Sequence, residues 1–167
     1  MTGTPMHRLA QFWRHTSARV STQEVNAVTE VLGPQLSRFF LDLPVNDQRH
    51  GLDVLKTIRR AEVSPPVLLQ QAALLHDMGK VGAHLSVIER SLTVLLRAIS
   101  PKVLRAVLRV MPSFAARYAT YADHARIGAE RLSGCGATDL AAVVSEHHAR
   151  RPSLELTRRL QRADGAN

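Results

Sequence analysis

Prolines cut this chain into pieces of helix length. Pro34, Pro44, the pair Pro65-Pro66, Pro101, Pro112 and Pro152 each fall at the edge of an apolar-periodic segment. Proline is tolerated in the first turn of a helix and breaks its interior. Between the breaks, Leu, Val and Ala recur at three- and four-residue spacing, the signature of helices with one buried face. No stretch makes a convincing strand. The expected fold class is therefore all-α, a helical bundle of about seven to nine helices. With 167 residues the chain is one domain's worth, and its 45% hydrophobic but 4% aromatic content leaves Leu, Val and Ala to fill the core.

Residues 1–20 read as a flexible basic N-terminus and residues 21–167 as a single domain. Ser21 and Glu24, three apart, are a capping-box pair opening a helix with Val25, Val28, Val31 and Leu32 on one face. Pro34 breaks that helix. A helix from Asp47 to about Arg60 carries His50 near its start. Val67 to Met78 is expected to be the next, carrying His76 and Asp77, with Gly79 ending it through a positive φ. Phe114 to Leu132 carries His124, with an interruption near Thr120. Thr138 is expected to cap a helix from Asp139 to about Ala149 that bears Glu146, His147 and His148. The last helix, Leu154 to Ala163, brings Asp164 to its end.

Net charge is +8, which favours anionic partners without choosing among them. Residues 84–118 form a basic amphipathic helical insertion, with six basic residues against the single acid Glu89. Lys102, Arg105 and Arg109 recur there at helical spacing. For residues 85–111 the first expectation is a buried apolar stripe with a solvated basic face, and the alternative is peripheral contact with an anionic membrane. No apolar run reaches the ~18 residues of a membrane span. Met1 to Arg14 has no apolar core, so no secretory leader is expected. Cys135, the lone cysteine, sits between two glycines as an incidental thiol, and a cytoplasmic location is the expectation. No reading motif for sequence-specific nucleic-acid binding accompanies the charge.

The chemistry concentrates in His76-Asp77-Met78-Gly79-Lys80. Adjacent His and Asp offer an imidazole nitrogen and a carboxylate oxygen, ligands suited to divalent zinc, iron or manganese. Lys80 is placed to meet an anion beside them. A buried His bonded to its neighbour's carboxylate is the plainer reading of that pair alone. However, His50, His76, His124, His147 and His148 come from four separate helices, joined by the carboxylates of Asp77 and Asp164. Bundle interiors build metal sites from side chains on facing helices. Consecutive residues on a helix point ~100° apart, so His147 and His148 share a site only if it lies between their directions.

In this order the residues resemble the ligand set of the HD superfamily of metal-dependent phosphohydrolases. His76-Asp77-Met78-Gly79-Lys80-Val81-Gly82 is similar to its HDxGKxG form, as in the HD-GYP branch. The resemblance spans residues 46–164 and implies an all-helical HD-type bundle. It implies one or two divalent ions. The first would be held by His50, His76, Asp77 and Asp164. The second would share Asp77 and take His124 with His147, His148 or both. The implied activity is phosphohydrolase or phosphodiesterase chemistry on a small, nucleotide-like phosphate ester, with a metal-activated hydroxide as nucleophile. Asp77 and Lys80 would be the catalytic residues. Lys80 would also bind substrate phosphate, with Arg150 and Arg151 on the rest of the substrate. Where the HD-GYP branch continues into Gly-Tyr-Pro, this chain has Ala149-Arg150-Arg151-Pro152, so a cyclic dinucleotide substrate is not carried over. Asn46 stands where some relatives hold an extra acidic ligand, so a third ion is not expected. His84 is read as a non-ligand, and Glu146 is given no acid-base role. The alternative is a non-catalytic HD-fold regulatory module that binds metal and a phosphorylated ligand.

Overall fold

A computed structural model describes residues 19–167, which leaves most of the expected flexible N-terminus outside the described residues. The described residues form an all-α bundle with no strand. Its helices are α1 (Thr22–Leu41), α2 (Val45–Ala61), α3 (Val67–Leu75), α4 (Val87–Ile99), α5 (Pro101–Val110), α6 (Pro112–Ala122), α7 (His124–Gly134), α8 (Thr138–Ser145) and α9 (Glu155–Asp164). A 3-10 turn, Met78–Lys80, lies between α3 and α4.

The shortness and greasiness of α3 make it the axis. Leu69, Ala72, Ala73, Leu74 and Leu75 are all buried, and α1, α2, α8 and α9 pack around it. Burying each of these leucines is worth roughly 1.5–3 kcal/mol. The alanines let neighbouring backbones approach. Gly51 of α2 does the same from the other side, where an added Cβ would stand 3.2 Å from the Leu74 carbonyl oxygen. The helix carrying His50 is thereby held close to the one that leads into His76.

The punctuation falls largely where the sequence puts it. Ser21 and Glu24 form the capping box of α1, and Gly33, at φ 70°, kinks that helix just before Pro34. Beyond shifts of a residue or two, four differences stand out. α3 stops at Leu75 and α8 at Ser145, so His76-Asp77 and His147-His148 lie in the turns beyond their helices. The ~100° constraint of a helix therefore does not bind the paired histidines. Thr138 is the first residue of α8 and caps nothing; Ala137 precedes it without a side-chain bond. The break before His124 falls at Asp123 rather than Thr120.

Gly79 also differs in its reason. It is absent from the positive-φ glycines Gly33, Gly82 and Gly136, and it does not end a helix. A Cβ there would lie 1.9 Å from the His124 carbonyl oxygen and 2.7 Å from the Gly128 nitrogen. Its lack of a side chain lets the 3-10 turn touch the start of α7, which brings Asp77 to His124.

Helices α4 and α5 leave this core: α4 packs chiefly on α5, and α5 on α4 and α6. The apolar stripe expected to be buried in residues 85–111 is largely exposed, at Ile88, Leu92, Leu95, Ile99, Val103 and Val110. Leu85 and Leu104 stay buried, and a polar contact also ties the arm down. Arg90 of α4 makes two hydrogen bonds, 2.8 and 3.1 Å, to the buried carboxylate of Asp47 in α2. Among the described residues no helix is long and apolar enough to cross a membrane.

Candidate metal centre

Seven side chains named from the sequence converge. Asp77, His124, His147 and His148 bring one donor atom each to within 4.8 Å of one another, as do His50, His76 and Asp164. The two groups touch: His76 Nε2 stands 3.6 Å from Asp77 Oδ2 and 3.8 Å from Asp164 Oδ1. His50 Nε2 is 2.9 Å from Asp164 Oδ1, joining α2 to the end of α9. On the other side His124 Nε2 lies 3.2 Å from Asp77 Oδ1, 3.1 Å from His147 Nε2 and 3.0 Å from His148 Nε2.

The backbone decides which ring nitrogens face inward. His76 Nδ1 is 3.0 Å from the Ala73 carbonyl, His124 Nδ1 2.7 Å from that of Tyr121, and His147 Nδ1 2.6 Å from that of Val144. A carbonyl only accepts, so each Nδ1 carries the proton and donates it. In a neutral ring the inward Nε2 then offers a bare lone pair. All three carbonyls come from the third residue before the histidine, a direct result of placing each ring at a helix end. This arrangement fixes both tautomer and ring direction, as metal-ligating histidines require.

Electrostatics keeps the His76 and His147 lone pairs available. Burial lowers the His76 pKa, and burial with His76 and His148 beside it pushes His147 down to about 3. Burial and the neighbouring His124 lower His148, which sits at the rim. Burial opposes the Asp77 charge, yet the Lys80 ammonium beside it holds its carboxyl well below the usual range. Asp164 is likewise lowered, the hydrogen bond with His50 outweighing burial, and His50 is raised by the same bond against its own burial.

The donor set fits a metal. His76 Nε2 is buried with no hydrogen-bond partner, a costly state for a lone pair away from water unless a cation is meant to meet it. Metal–ligand bonds of about 2.0–2.2 Å place adjacent ligands roughly 3 Å apart, the spacing seen around His124. A buried cluster of this kind could hold a metal ion.

The remaining residues divide. Lys80 Nζ lies 2.5 Å from Asp77 Oδ2 and within 5.6 Å of the Tyr121 ring, largely buried. Asp77 raises its pKa against the effect of burial. Arg150 and Arg151 are exposed in the turn after His148 and line an open surface depression; neither bonds to the cluster. His84 is exposed at φ 46° and lies outside the cluster, its carbonyl accepting from Arg117. Glu146 instead accepts from Ser153 and the Leu154 backbone, closing the turn that leads into α9. Asn46 lies on a cavity of about 230 Å³ beside Lys80, His84 and Arg90.

Sequence reasoning missed Tyr121 and the Asp47–Arg90 pair. Tyr121 gives its carbonyl to His124 and its ring face to Lys80 and Arg90. An aromatic three residues before a histidine was its only signal. The chain matches no family model, no curated protein and no solved structure.

Proposed function

We propose that the chain is an HD-type metal-dependent phosphohydrolase acting on a phosphate ester of a nucleotide-like substrate. The observation that carries this reading is the convergence of two donor groups on the Asp77 carboxylate, reached by His76 from one side and by His124 from the other. His50, His76, Asp77 and Asp164 would hold one divalent ion, and Asp77, His124, His147 and His148 a second. Ions bound there supply Lewis acidity, polarising a phosphoryl oxygen and acidifying a water.

The chain's own residues account for the rest. Asp77 stays ionised because the Lys80 ammonium opposes its protonation, so it enters the reaction as a fixed negative charge. Its two oxygens face different histidine groups, which suits a carboxylate shared between two ions. Lys80 remains cationic throughout the working pH range, and an ammonium beside the cluster suits a non-bridging phosphate oxygen. Asn46 on the adjoining cavity would meet the substrate beyond its phosphate, while Arg90 there is held by Asp47. Arg150 and Arg151, exposed and apart from the cluster, are left with long-range attraction of an anion.

The test is metal analysis joined to a phosphoester panel. Protein loaded with Mn, Fe or Zn should retain at least one equivalent after desalting and hydrolyse one class of nucleotide-like ester. The Asp77→Ala variant should do neither. Metal and phosphate binding without Asp77-dependent turnover on any ester would replace the enzyme with a regulatory module. Failure to retain metal after reconstitution would remove both.

A further inference from the structure

We propose that α4 and α5 form a docking face for an anionic lipid bilayer, on which the protein lies peripherally. The starting observation is an exposed apolar row. Ile88, Leu92, Leu95 and Ile99 follow one another at four, three and four residues along α4, so they share a face. Their relative exposures are 73, 49, 53 and 73%. On α5, Val103 and Val110 are likewise exposed at 48 and 77%, with Ala106 between them on the same face. Scattered exposed aliphatics are ordinary on a protein surface, whereas a file of them along two successive helices marks a contact site.

A basic row runs beside it. Lys102, Arg105 and Arg109 each precede Val103, Ala106 and Val110 by one residue, about 100° round the helix. Arg97 adds a fourth exposed cation on α4. None of the four forms an ion pair with another described residue, in contrast to Arg90 and Arg117, which are held by Asp47 and Glu89. An interfacial helix has this construction. Aliphatic side chains enter the acyl boundary, while long cationic ones flank them and reach the headgroup phosphates.

Charge decides among the occupants. A second copy of the chain meeting this face would bring basic row against basic row. The only acid in residues 84–118, Glu89, is already bonded to Arg117. Residues 1–18 contain Arg8 and Arg14 and no acid, so they too carry the wrong sign. Nucleic acid would satisfy the cations but leave the aliphatic file facing phosphate and water. A leaflet containing anionic lipid complements both rows.

The experiment is vesicle co-sedimentation of the full chain. Binding should be weak to phosphatidylcholine alone and strong to vesicles with about one-third phosphatidylglycerol, weakening as salt screens the charges. Lys102→Glu/Arg105→Glu/Arg109→Glu should lower partitioning by about tenfold or more, given the loss of three cations at an anionic surface. Leu95→Ser/Ile99→Ser should also reduce binding, and should leave the helical circular dichroism unchanged because both residues are exposed. The proposal is overturned by vesicle binding that is absent at low salt, or by binding indifferent to either variant. It is equally overturned if the serine variant converts a dimer to a monomer in sedimentation, or if duplex DNA binds the full chain and the serine variant alike while vesicles do not.

Discussion

His124 and His147 point their Nε2 atoms at each other across 3.1 Å, although both have committed the Nδ1 proton to a backbone carbonyl. In two neutral rings so arranged there is no hydrogen between the facing lone pairs, and their mutual repulsion is relieved only by a positive charge placed among them. The expected outcome is that added Zn²⁺ or Mn²⁺ raises the thermal midpoint of metal-depleted protein. His147→Ala should lose most of that rise, while His84→Ala, outside the cluster, keeps it. Differential scanning fluorimetry with elemental analysis makes the comparison.

Lys80 and the proposed metal share one carboxylate, which separates two roles in a single variant. Lys80→Met should retain metal as well as the parent or better, because Asp77 loses a competing cation. Its kcat/KM on the responsive ester should nonetheless fall by about 10²–10³, the scale for removing one group that stabilises transition-state charge. Loss of metal together with activity would make Lys80 a structural partner of Asp77 instead.

Acid should destabilise the metal-free protein. Below about pH 6.5 an unfolded histidine takes up a proton, whereas folded His147 refuses it down to about 3. The unfolded state therefore binds more protons, and stability falls as pH falls. His76 and His148 are lowered too and act with the same sign. His50, raised by Asp164, acts oppositely: its contribution is present below the ordinary histidine value and lost as pH rises through its folded one. Three against one, the thermal midpoint of chelator-treated protein should drop between pH 7 and 4. Below about pH 4 it should drop further, as the lowered carboxyls of Asp77 and Asp164 add their loss. A flat profile over that range would contradict the burial of these rings.

Two glycines should respond in opposite ways to the same change. Gly79→Ala forces a methyl group to within 1.9 Å of the His124 carbonyl. The turn must open, at a cost of about 3 kcal/mol or more by analogy with overpacked cores, and His124 leaves Asp77. Gly134→Ala, at the end of α7 with nothing within 4 Å, should be neutral or stabilise by up to about 1 kcal/mol. Chemical denaturation of both variants checks the pair.

Breaking the Asp47–Arg90 bond tests whether the arm is fastened through it. Asp47 is 3% exposed, so Arg90→Ala leaves a buried carboxylate unpaired and should cost about 2–4 kcal/mol. Arg117→Ala, whose partner Glu89 is far more exposed, should cost under about 1 kcal/mol.

The helices and the donors were legible because both are written locally. Proline positions and three-four periodicity give the segments, and His76-Asp77 with His147-His148 announce themselves as pairs. Two kinds of information were not local. Helix ends such as Leu75 and Ser145 depend on where a ring must turn inward, and the apolar run continues past them. The reason for Gly79 lies 45 residues away at His124, a contact that one-dimensional reading replaced with the commoner use of glycine. The apolar row of α4 and α5 was visible, but periodicity states only that residues share a face. Which side of a helix meets the bundle is a property of the whole packing.

Asp164 belongs to the last helix and His50 to the second, 114 residues apart. A chain still emerging during synthesis therefore cannot complete the centre: one wall is missing until α9 docks. Occupancy by an ion would report finished tertiary structure rather than local order. By clasping α2 to α9, the ion would also slow the departure of α9 from the bundle.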